Sequence, residues 1–527
     1  MKNLIIALFI LVVIVAGAFL VKEYLPKWQD RTQKATSDAK QTQGTIRIAN
    51  DNFMGYFFIR SPEMKKAMRR AGWRLDLEDD AANYRQRMQK LADEEIDFAV
   101  GTVDAYVLNG KPYNYPGTII MVIDESKGAD AILALRDKVA NLDDLKGNDH
   151  IKVAYTPDSP SHHLLKATSD HFNVPELLPR RSDLRIETDG SPAAVKALLK
   201  GTADVAVAWE PDVTKGLQDR KVVKLLGTEV TEKLIVDVLL VNRRFASEKP
   251  EVVTLFMTNY FKTLKKYKQD KALLMKDLRK DTGLSEKKIE SVMQSIRWIN
   301  FMENCEDWFG IGTYNEGLVD TIESTMTVLQ NAGDFKSNPL PDEDPYRLTY
   351  REFLEQLNRQ GIGSGFLKAD PTDGSFAGIE ARFQALDEGG WAQLKVVGGL
   401  KVGKIPFLRG SSSLNIKAKE IVDSAVDKLK HYPALRVVIE GHTGNRGDPE
   451  LNRILSRDRA EAVQQYLVVT YNIDPNRLRA VGLGGDRPLA RRPGESLTRM
   501  LHEIDENYLF LFHIENCVQE KPIVTHI

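Results

Sequence analysis

The sequence predicts a multidomain α/β protein that begins with one membrane helix. Three observations support this prediction: the chain has 527 residues, an apolar run occupies positions 4–21, and short strands alternate with amphipathic helices afterwards. A single hydrophobic core rarely extends beyond about 300 residues, so we expect two or three domains. Hydrophobic residues make up 42% of the chain and charged residues 28%, which is typical of globular proteins.

The apolar run at positions 4–21 predicts a membrane-spanning helix, because it contains no charged side chain. At about 1.5 Å per residue, such a helix is about 27 Å long, close to the hydrocarbon thickness of a bilayer. The alternative is a cleaved signal peptide, since positions 16–18 read Ala-Gly-Ala. We favour an uncleaved anchor because the apolar stretch continues to Val21. The predicted boundaries are 1–25 for the anchor or signal segment and 26–44 for a polar stalk.

Region 45–330 has the pattern of an α/β domain. Short strands that alternate with helices are typical of a largely parallel sheet covered by helices. The predicted strands and helices lie at 46–49, 63–72, 73–77, 84–94, 96–100, 151–155, 192–200 and 205–209, followed by helical patterns from 251 to 296. Gly, Asn, Pro and Asp then accumulate, and this composition predicts a linker and connecting region at 331–393.

The last region, 394–527, predicts a smaller α/β sandwich. Apolar alternation indicates strands, and the longer amphipathic patterns indicate helices. The predicted strands lie at 401–407, 435–440, 478–483 and 508–514, and the predicted helices at 416–431 and 450–471. The fold class expected for the whole chain is therefore α/β multidomain, with a membrane helix at one end and a sandwich at the other.

Charge and motif content exclude several classes of function. The chain has 73 basic and 74 acidic residues, a formal net charge of −1, so it lacks the basic excess of nucleic-acid-binding proteins. Cys305 and Cys517 match no metal-ligand spacing, and the sequence contains no nucleophile elbow and no phosphate-binding loop. We therefore expect a protein that is not an enzyme and that uses no metal or other cofactor.

A specific pattern occurs near the C-terminus: a Gly-rich segment at 441–447, followed by Asn452, Ser456 and Arg459. Backbone N–H groups at the start of the predicted helix can bind a carboxylate. Asn452 and Arg459 are seven residues apart and share one helix face, and a guanidinium there can bind a carboxylate through two hydrogen bonds. The pattern resembles the OmpA-like peptidoglycan-associating family over 394–527.

This resemblance implies that Thr443, Asn452 and Arg459 bind peptidoglycan. It implies that the arginine takes the carboxylate of diaminopimelate, and that an aspartate after the threonine takes the ammonium group of the same unit. The chain departs from the family at that position, because Gly444 stands there and Asp448 is the nearest replacement. This departure weakens the expectation of wall binding. The alternative is that Arg459 pairs with a neighbouring acid and the loop binds nothing.

An ordered set of segments at 122–131, 142–147, 151–154, 159–162 and 203–211 resembles periplasmic solute-binding proteins of the nitrate, sulfonate, taurine and thiamine-precursor group. The resemblance implies a two-lobed domain, of the type II periplasmic-binding-protein kind, with its site in loops at strand ends. The candidate ligand contacts are Asn52, Thr102, Asp104, Ser126, Gly128, Ser159, Ser161, Trp209 and Glu210.

The chemistry of these residues indicates a small polar or zwitterionic solute. The serines lie where helices should begin, so their hydroxyls and nearby N–H groups can bind an oxyanion. Glu210 would repel a bare anion but suits a ligand that also has an amine or amidine. The alternative is structural, because Ser and Asp in loops are commonly helix caps and turn residues.

These features together predict a single-pass protein of the bacterial inner membrane, with most of the chain in the periplasm. The function that we favour is an envelope sensor or scaffold that combines a solute-binding module with a wall-associating module. One alternative is a tethered substrate-binding component of an ABC importer. Another is a structural interaction protein in which both sites are degenerate, beside a membrane-protein partner.

Overall fold

The computed structural model describes residues 42–360 and 383–485, except for residues 404, 409, 445 and 446, and the backbone of residues 511–516. The predicted membrane helix at 4–21 and most of the predicted stalk lie outside the described residues. Among the residues that are described, no helix is both long enough and apolar enough to cross a bilayer.

The described strands form three sheets. In chain order they are β1 (Gly44–Asn50), β2 (Trp73–Asp79), β3 (Phe98–Thr102), β4 (Gly117–Ser126), β5 (Asp130–Leu135), β6 (Val153–Tyr155), β7 (Arg185–Glu187), β8 (Val205–Trp209), β9 (Val222–Gly227), β10 (Val236–Asn242), β11 (Ile296–Trp298), β12 (Lys395–Leu400), β13 (Arg436–Gly441), β14 (Leu478–Gly482) and β15 (Leu511–Asn516). The sheet orders are β11-β4-β10-β3-β1-β2, β7-β6-β8-β5-β9 and β12-β15-β13-β14.

Helices cover the faces of these sheets. In chain order they are α1 (Phe57–Arg60), α2 (Pro62–Arg70), α3 (Tyr84–Ala92), α4 (Val103–Gly110), α5 (Pro160–His171), α6 (Ser191–Leu199), α7 (Asp212–Gly216), α8 (Arg243–Glu248), α9 (Pro250–Gln269), α10 (Lys271–Thr282), α11 (Glu286–Gln294), α12 (Phe301–Glu303), α13 (Gly317–Ala332), α14 (Glu352–Arg359), α15 (Glu388–Ala392), α16 (Ile416–Leu429) and α17 (Pro449–Tyr471).

The first two sheets form two lobes that the chain joins twice. It leaves the first sheet through β4, enters the second through β5, and returns from β9 to β10. The two crossings, at 126–130 and 228–235, lie side by side, because Thr228 Oγ1 accepts a hydrogen bond from Gly128 N at 2.8 Å. This arrangement confirms the predicted two-lobed α/β domain.

The expectation of a largely parallel sheet was wrong for both lobes. In the first sheet, β1 pairs in parallel with β2 and β3, but β10 runs antiparallel to β3 and β4, and β11 runs antiparallel to β4. In the second sheet, β5 runs antiparallel to β8 and β9. The returning strand β10 enters the first sheet at the edge from which β4 leaves it, so β10 must run in the opposite direction.

Burial explains why β4 and β10 show no polar alternation in the sequence. All ten residues of β4 and all seven residues of β10 are buried, because both strands lie inside the sheet and are covered on both faces. The long helix α9 packs on one face, where Phe256 stacks on Phe98 with ring centroids 4.8 Å apart. A continuous apolar run of this kind is compatible with either a strand or a buried helix.

Part of the predicted connecting region belongs to the first lobe. Leu340, Leu348, Phe353, Leu354 and Leu357 are buried in its hydrophobic core. Three of these residues lie on α14 at helical spacing and form one apolar face. The Pro- and Asn-rich stretch before them is therefore a set of turns on the lobe surface, and the expected linker at 331–393 is shorter than the composition indicates.

Helix α13 connects the two lobes at a third place, because it packs against α4 of the first lobe and α5 of the second. Asn331 Nδ2 donates a hydrogen bond to Asp170 at 3.0 Å, and Lys166 Nζ donates one to Asp334 at 3.0 Å. Each of these contacts joins α5 to the C-terminal end of α13. The lobes are thus held together by two chain crossings and by one helix.

The C-terminal domain is an α/β sandwich of four described strands with α16 and α17, as predicted. Its first strand, however, is β12 at Lys395–Leu400 and not at 401–407 as expected. Gly398 explains the difference: a Cβ atom there would lie 3.1 Å from Leu142 Cβ and 3.3 Å from Phe172. Glycine permits this close approach to the second lobe, but in the sequence it resembles a break between elements.

The C-terminal domain and the second lobe share one buried core. Phe172 packs edge-on against Tyr432 with ring centroids 5.2 Å apart, and His171 Nδ1 lies 2.8 Å from the Tyr432 hydroxyl. Lys401 N donates a hydrogen bond to His171 O at 2.6 Å, and its ammonium group lies 2.9 Å from Asp170. Apolar packing and polar contacts therefore join these two parts of the chain.

A prediction concerns the buried Arg87, whose guanidinium binds Asp80 and Asp51 and donates a hydrogen bond to Val100 O at 2.7 Å. Arg87→Ala leaves two buried carboxylates without their cation, so we expect the free energy of unfolding to fall by about 3–5 kcal/mol. Arg85→Ala, on an exposed position of the same helix, should change it by less than about 0.5 kcal/mol. Urea denaturation of both variants measures the difference, and equal effects would contradict the assigned role.

Candidate functional site

The candidate ligand residues lie where strands of the first sheet end beside the two crossings. The carboxyl ends of β1 and β3 point to this edge, and so do the end of β4 and the start of β10. Asp237 on β10 pairs with Thr102 on one side and with Asp124 on the other. Residues paired directly across neighbouring strands point to the same face of a sheet, so these three side chains form a row at the cleft between the lobes.

Asp124 and Asp237 form a buried acid pair that the sequence analysis did not identify. The Tyr56 hydroxyl donates a hydrogen bond to Asp237, which is 2% exposed, and Asp124 is fully buried. Burial raises the pKa of Asp237 to about 8, and burial together with the neighbouring Asp237 raises the pKa of Asp124 well above its ordinary value. The raised pKa values favour the protonated form of both carboxyl groups at neutral pH.

Asp130 accepts hydrogen bonds from the two serine hydroxyl groups that were expected to bind an oxyanion. Ser126 Oγ donates a hydrogen bond to one carboxylate oxygen of Asp130, and Ser161 Oγ donates one to the other, both at 2.9 Å. Burial raises the pKa of Asp130 to about 6, although the two hydroxyls favour its charged form. The hydroxyls of Ser126 and Ser161 thus already bind a carboxylate that belongs to the chain itself.

Thr102 and Ser159 cap helices, as the structural alternative expects. Thr102 Oγ1 accepts a hydrogen bond from Ala105 N at 3.4 Å at the start of α4. Ser159 Oγ accepts one from His162 N at 3.2 Å at the start of α5 and donates one to Thr156 O at 2.7 Å. Both caps lie at the cleft edge of their lobes, so their positions agree with the expected site while their hydroxyls serve the helices.

The remaining candidates differ in their surroundings. Asn52 is exposed and donates a hydrogen bond to Asp79 at 2.5 Å. Trp209 is half-buried at the end of β8, and the Glu210 carboxylate after it accepts hydrogen bonds from Thr214 N at 3.1 Å and Thr214 Oγ1 at 2.7 Å. Gly128 lies in the first crossing with φ +118°, a conformation that favours glycine.

Asp104 differs from the other candidates because part of its carboxylate has no partner. The side chain is 5% exposed, and Oδ1 accepts no hydrogen bond from any described residue. Burial raises the pKa of Asp104 to about 6, while a bond to Thr102 and the charge of Lys166 act in the opposite direction. A buried carboxylate oxygen without a donor is costly, so this atom indicates a ligand contact in the cleft; both oxygens of Asp124 also lack a hydrogen-bond partner among the described residues.

Sequence reasoning missed Asp124, Asp130, Asp237 and Tyr56. One signal was available: Asp237 interrupts the apolar strand VDVLLVN, and a single carboxylate in an otherwise apolar strand indicates a special environment. The pairing of Asp237 with Asp124 could not be found in the same way, because it depends on the antiparallel register of β10 and β4.

The candidate wall-binding residues gather at the start of α17. Arg459 is fully buried, its Nε donates a hydrogen bond to Ser411 O at 2.9 Å, and one Nη donates to Leu408 O at 3.2 Å. Its guanidinium lies over the Phe407 ring, 5.1 Å from the centroid. The segment that precedes α16 therefore covers part of the arginine that was expected to bind a carboxylate.

The loop before α17 is held by the chain itself. Thr443 N donates a hydrogen bond to Gly484 O at 2.8 Å, and Asn452 Nδ2 donates one to Gly444 O at 3.3 Å. The Thr443 hydroxyl is buried and has no hydrogen-bond partner among the described residues. Asp448 caps α17 by accepting hydrogen bonds from two backbone N–H groups, so it is committed to the helix and does not replace the missing aspartate at position 444.

Within the described part of the chain, no group of three or more His, Cys, Asp or Glu side chains is arranged to hold a metal ion. Cys305 is buried with a free thiol, and burial raises its pKa to about 12. A thiol in this state is a poor nucleophile. Cys517 lies outside the described residues.

Residues 406–497 match the OmpA family, so the C-terminal domain is an OmpA domain. Outer membrane protein Omp38 of Acinetobacter baumannii is 37% identical over 87 residues, which are 16% of this chain and 24% of that protein. The peptidoglycan-associated lipoprotein of Pseudomonas aeruginosa is 42% identical over 84 residues, which are 16% of this chain and 49% of that protein. The matched part of the chain thus spans about a quarter of the length of Omp38 and about half of the length of the lipoprotein.

Solved structures cover about 60% of this chain at low sequence identity. The ligand-binding component of an ABC-type import system from Staphylococcus aureus is 14% identical, with 60% of this chain and 99% of that chain covered and a TM-score of 0.46. A desulfurization enzyme is 13% identical, with 60% of this chain and 100% of that chain covered and a TM-score of 0.41.

A second prediction concerns the acid pair. Unfolded carboxyl groups titrate near 4, whereas burial raises the pKa of Asp237 to about 8 and raises the pKa of Asp124 well above its ordinary value. Between these values the folded chain binds more protons than the unfolded chain, so this pair makes stability fall as pH rises, by up to about 1.4 kcal/mol per pH unit for each proton. Asp124→Asn does not titrate and can donate its amide N–H to Asp237, so we expect its melting temperature to fall less between pH 5 and pH 9.

Thermal denaturation over that range measures both profiles. The matched control is Asp320→Asn, which changes an exposed carboxylate on α13 and should keep the wild-type slope. Parallel profiles for the wild type and Asp124→Asn would contradict the assignment of raised pKa values to the pair.

Proposed function

We propose that this protein is an envelope scaffold or sensor that associates with the cell wall through its OmpA domain and binds a small solute between its lobes. The observation on which the proposal depends is the buried core shared by the second lobe and the C-terminal domain. A solute carrier that diffuses to a permease has no use for such a connection. A protein that senses the cell wall, or that is fixed to it, requires such a connection between its two modules.

Peptidoglycan is the wall component that we propose as the partner. The support is the OmpA match at 406–497 and the relatives whose names state an association with peptidoglycan. Thr443, Asn452 and Arg459 are the proposed contacts, with Arg459 as the cation for a carboxylate of the stem peptide. Gly444 reduces the expected affinity, because it cannot supply the second charge.

The proposed location is the bacterial inner membrane, with the described domains in the periplasm. The apolar run at 4–21 supports one membrane helix, and the two modules both suit the periplasm. We propose no catalytic role for the described residues; in support, the thiol of Cys305 is buried and burial raises its pKa.

The third prediction tests wall association by sedimentation of the full chain with purified sacculi. Gly444→Asp restores a carboxylate at the position where the resemblance expects one, on a half-buried residue. A charge-assisted hydrogen bond contributes about 1.5–3 kcal/mol, so we expect at least about tenfold tighter binding. Thr470→Asp adds the same charge at the exposed far end of α17 and should leave binding unchanged. Failure of both the wild type and Gly444→Asp to sediment would refute wall association.

The fourth prediction tests the shared core. Tyr432→Ala removes a fully buried ring that packs on Phe172 and bonds His171. We expect a loss of about 3–5 kcal/mol and the separation of a single unfolding transition into two, because the C-terminal domain no longer unfolds together with the second lobe. Differential scanning calorimetry measures this change. Tyr466→Ala, a half-buried ring on α17, should keep one transition.

A further inference from the structure

The cleft between the lobes concentrates carboxyl groups from both sides. Asp104 belongs to the first lobe, Asp130 to the first crossing and Glu210 to the second lobe. The charges of Asp104 and Glu210 both raise the pKa of Asp130, so both carboxyl groups lie near it. In the first sheet, Asp237 of the acid pair is paired with Thr102, two residues before Asp104. We call Asp104, Asp130 and Glu210 the cleft acids.

The nearby cations are occupied elsewhere. Lys166 is buried and binds Asp334 at 2.9 Å, on the side of α5 that faces α13. Arg87 is buried between Asp80 and Asp51. Each of these positive charges has carboxylate partners outside the cleft acids, so closure of the lobes brings like charges together without a cation in contact with them.

The orphaned oxygen of Asp104 is an independent indication of a ligand. Asp130 satisfies its two oxygens with Ser126 and Ser161, and Glu210 accepts two hydrogen bonds from Thr214. Asp104 Oδ1 accepts no hydrogen bond from the described residues, although only 5% of the residue is exposed to solvent. A buried acceptor of this kind requires an N–H or O–H donor, and a ligand in the cleft can supply one.

The same hydrogen bonds argue against an anionic ligand. The hydroxyls of Ser126 and Ser161 already donate to the Asp130 carboxylate, which occupies the place that an oxyanion would need. A sulfonate or nitrate ion would also be repelled by the charges of the cleft acids. Each like-charge contact in a desolvated cleft disfavours such a ligand.

We propose that the cleft binds an organic cation with N–H donors, a primary ammonium or an amidinium group, and that Asp104 Oδ1 is its main acceptor. The proposal rests on solute binding by the lobe pair, as described above, and specifies the charge of the solute.

The test is a thermal-shift titration of the full chain with benzamidine and with putrescine, at constant ionic strength. Sodium ethanesulfonate and sodium nitrate are the anionic probes. A ligand that binds the folded state raises the melting temperature by mass action, so we expect a concentration-dependent rise with at least one cation and no rise with either anion. Asp104→Asn should weaken the apparent affinity for that cation at least about tenfold.

Asp93→Asn is the matched control, because it removes an exposed carboxylate from the same lobe, and it should bind as the wild type does. If Asp104→Asn lowers the melting temperature of the unliganded chain severely, Glu210→Gln replaces it, with an expected severalfold loss of affinity. A rise caused by an anion, an equal rise in Asp104→Asn, or no rise with either cation would overturn the proposal. Sedimentation with sacculi tests wall association without any solute, so its failure can be distinguished from a failure of cation binding.

Discussion

Burial of carboxyl groups at the two crossings between the lobes is the constraint on which the rest of the structure depends. The chain passes between the sheets beside Asp124, Asp130 and Asp237, and each of these side chains is at least nine-tenths buried. Moving a carboxylate out of water is expensive, so each group needs a cation, a donor or a proton. The fold meets this requirement differently at each position: raised pKa values favour the protonated form of the acid pair, and two hydroxyls donate hydrogen bonds to Asp130.

The same crossings bring the C-terminal domain into contact with the cleft region. Glu232 lies in the second crossing and exchanges hydrogen bonds with His431, whose Nε2 lies 2.8 Å from Ser324 Oγ on α13. One residue of the OmpA domain thus contacts a crossing and the helix that connects both lobes. A change in the angle between the lobes has to alter these contacts, and coupling between two sites requires a shared element of this kind.

The sequence predicted the architecture better than the chemistry of the site. Amphipathic helices such as α2 and α17 and the Gly-rich loop before α17 depend on local patterns, and they were found at nearly the correct residues. The direction of β10, the position of β12 and the burial of Leu348 depend on contacts between distant segments, and local periodicity does not encode them. Ser126 and Ser161 both donate hydrogen bonds to Asp130, and the sequence did not reveal this partner, because the contact joins different elements of the chain.

In both modules, the position of one carboxyl group differs from the simplest expectation. In the cleft, the hydroxyls of Ser126 and Ser161 were expected to bind an oxyanion, but they donate hydrogen bonds to Asp130. In the loop before α17, Gly444 stands where the resemblance expects an aspartate, and Asp448 caps α17. A carboxylate beside the serines favours a cationic ligand, whereas the lack of one at position 444 removes a contact for an ammonium group. Under the proposed functions, the two modules therefore accept ligands of different charge, and one solute is not expected to compete for both.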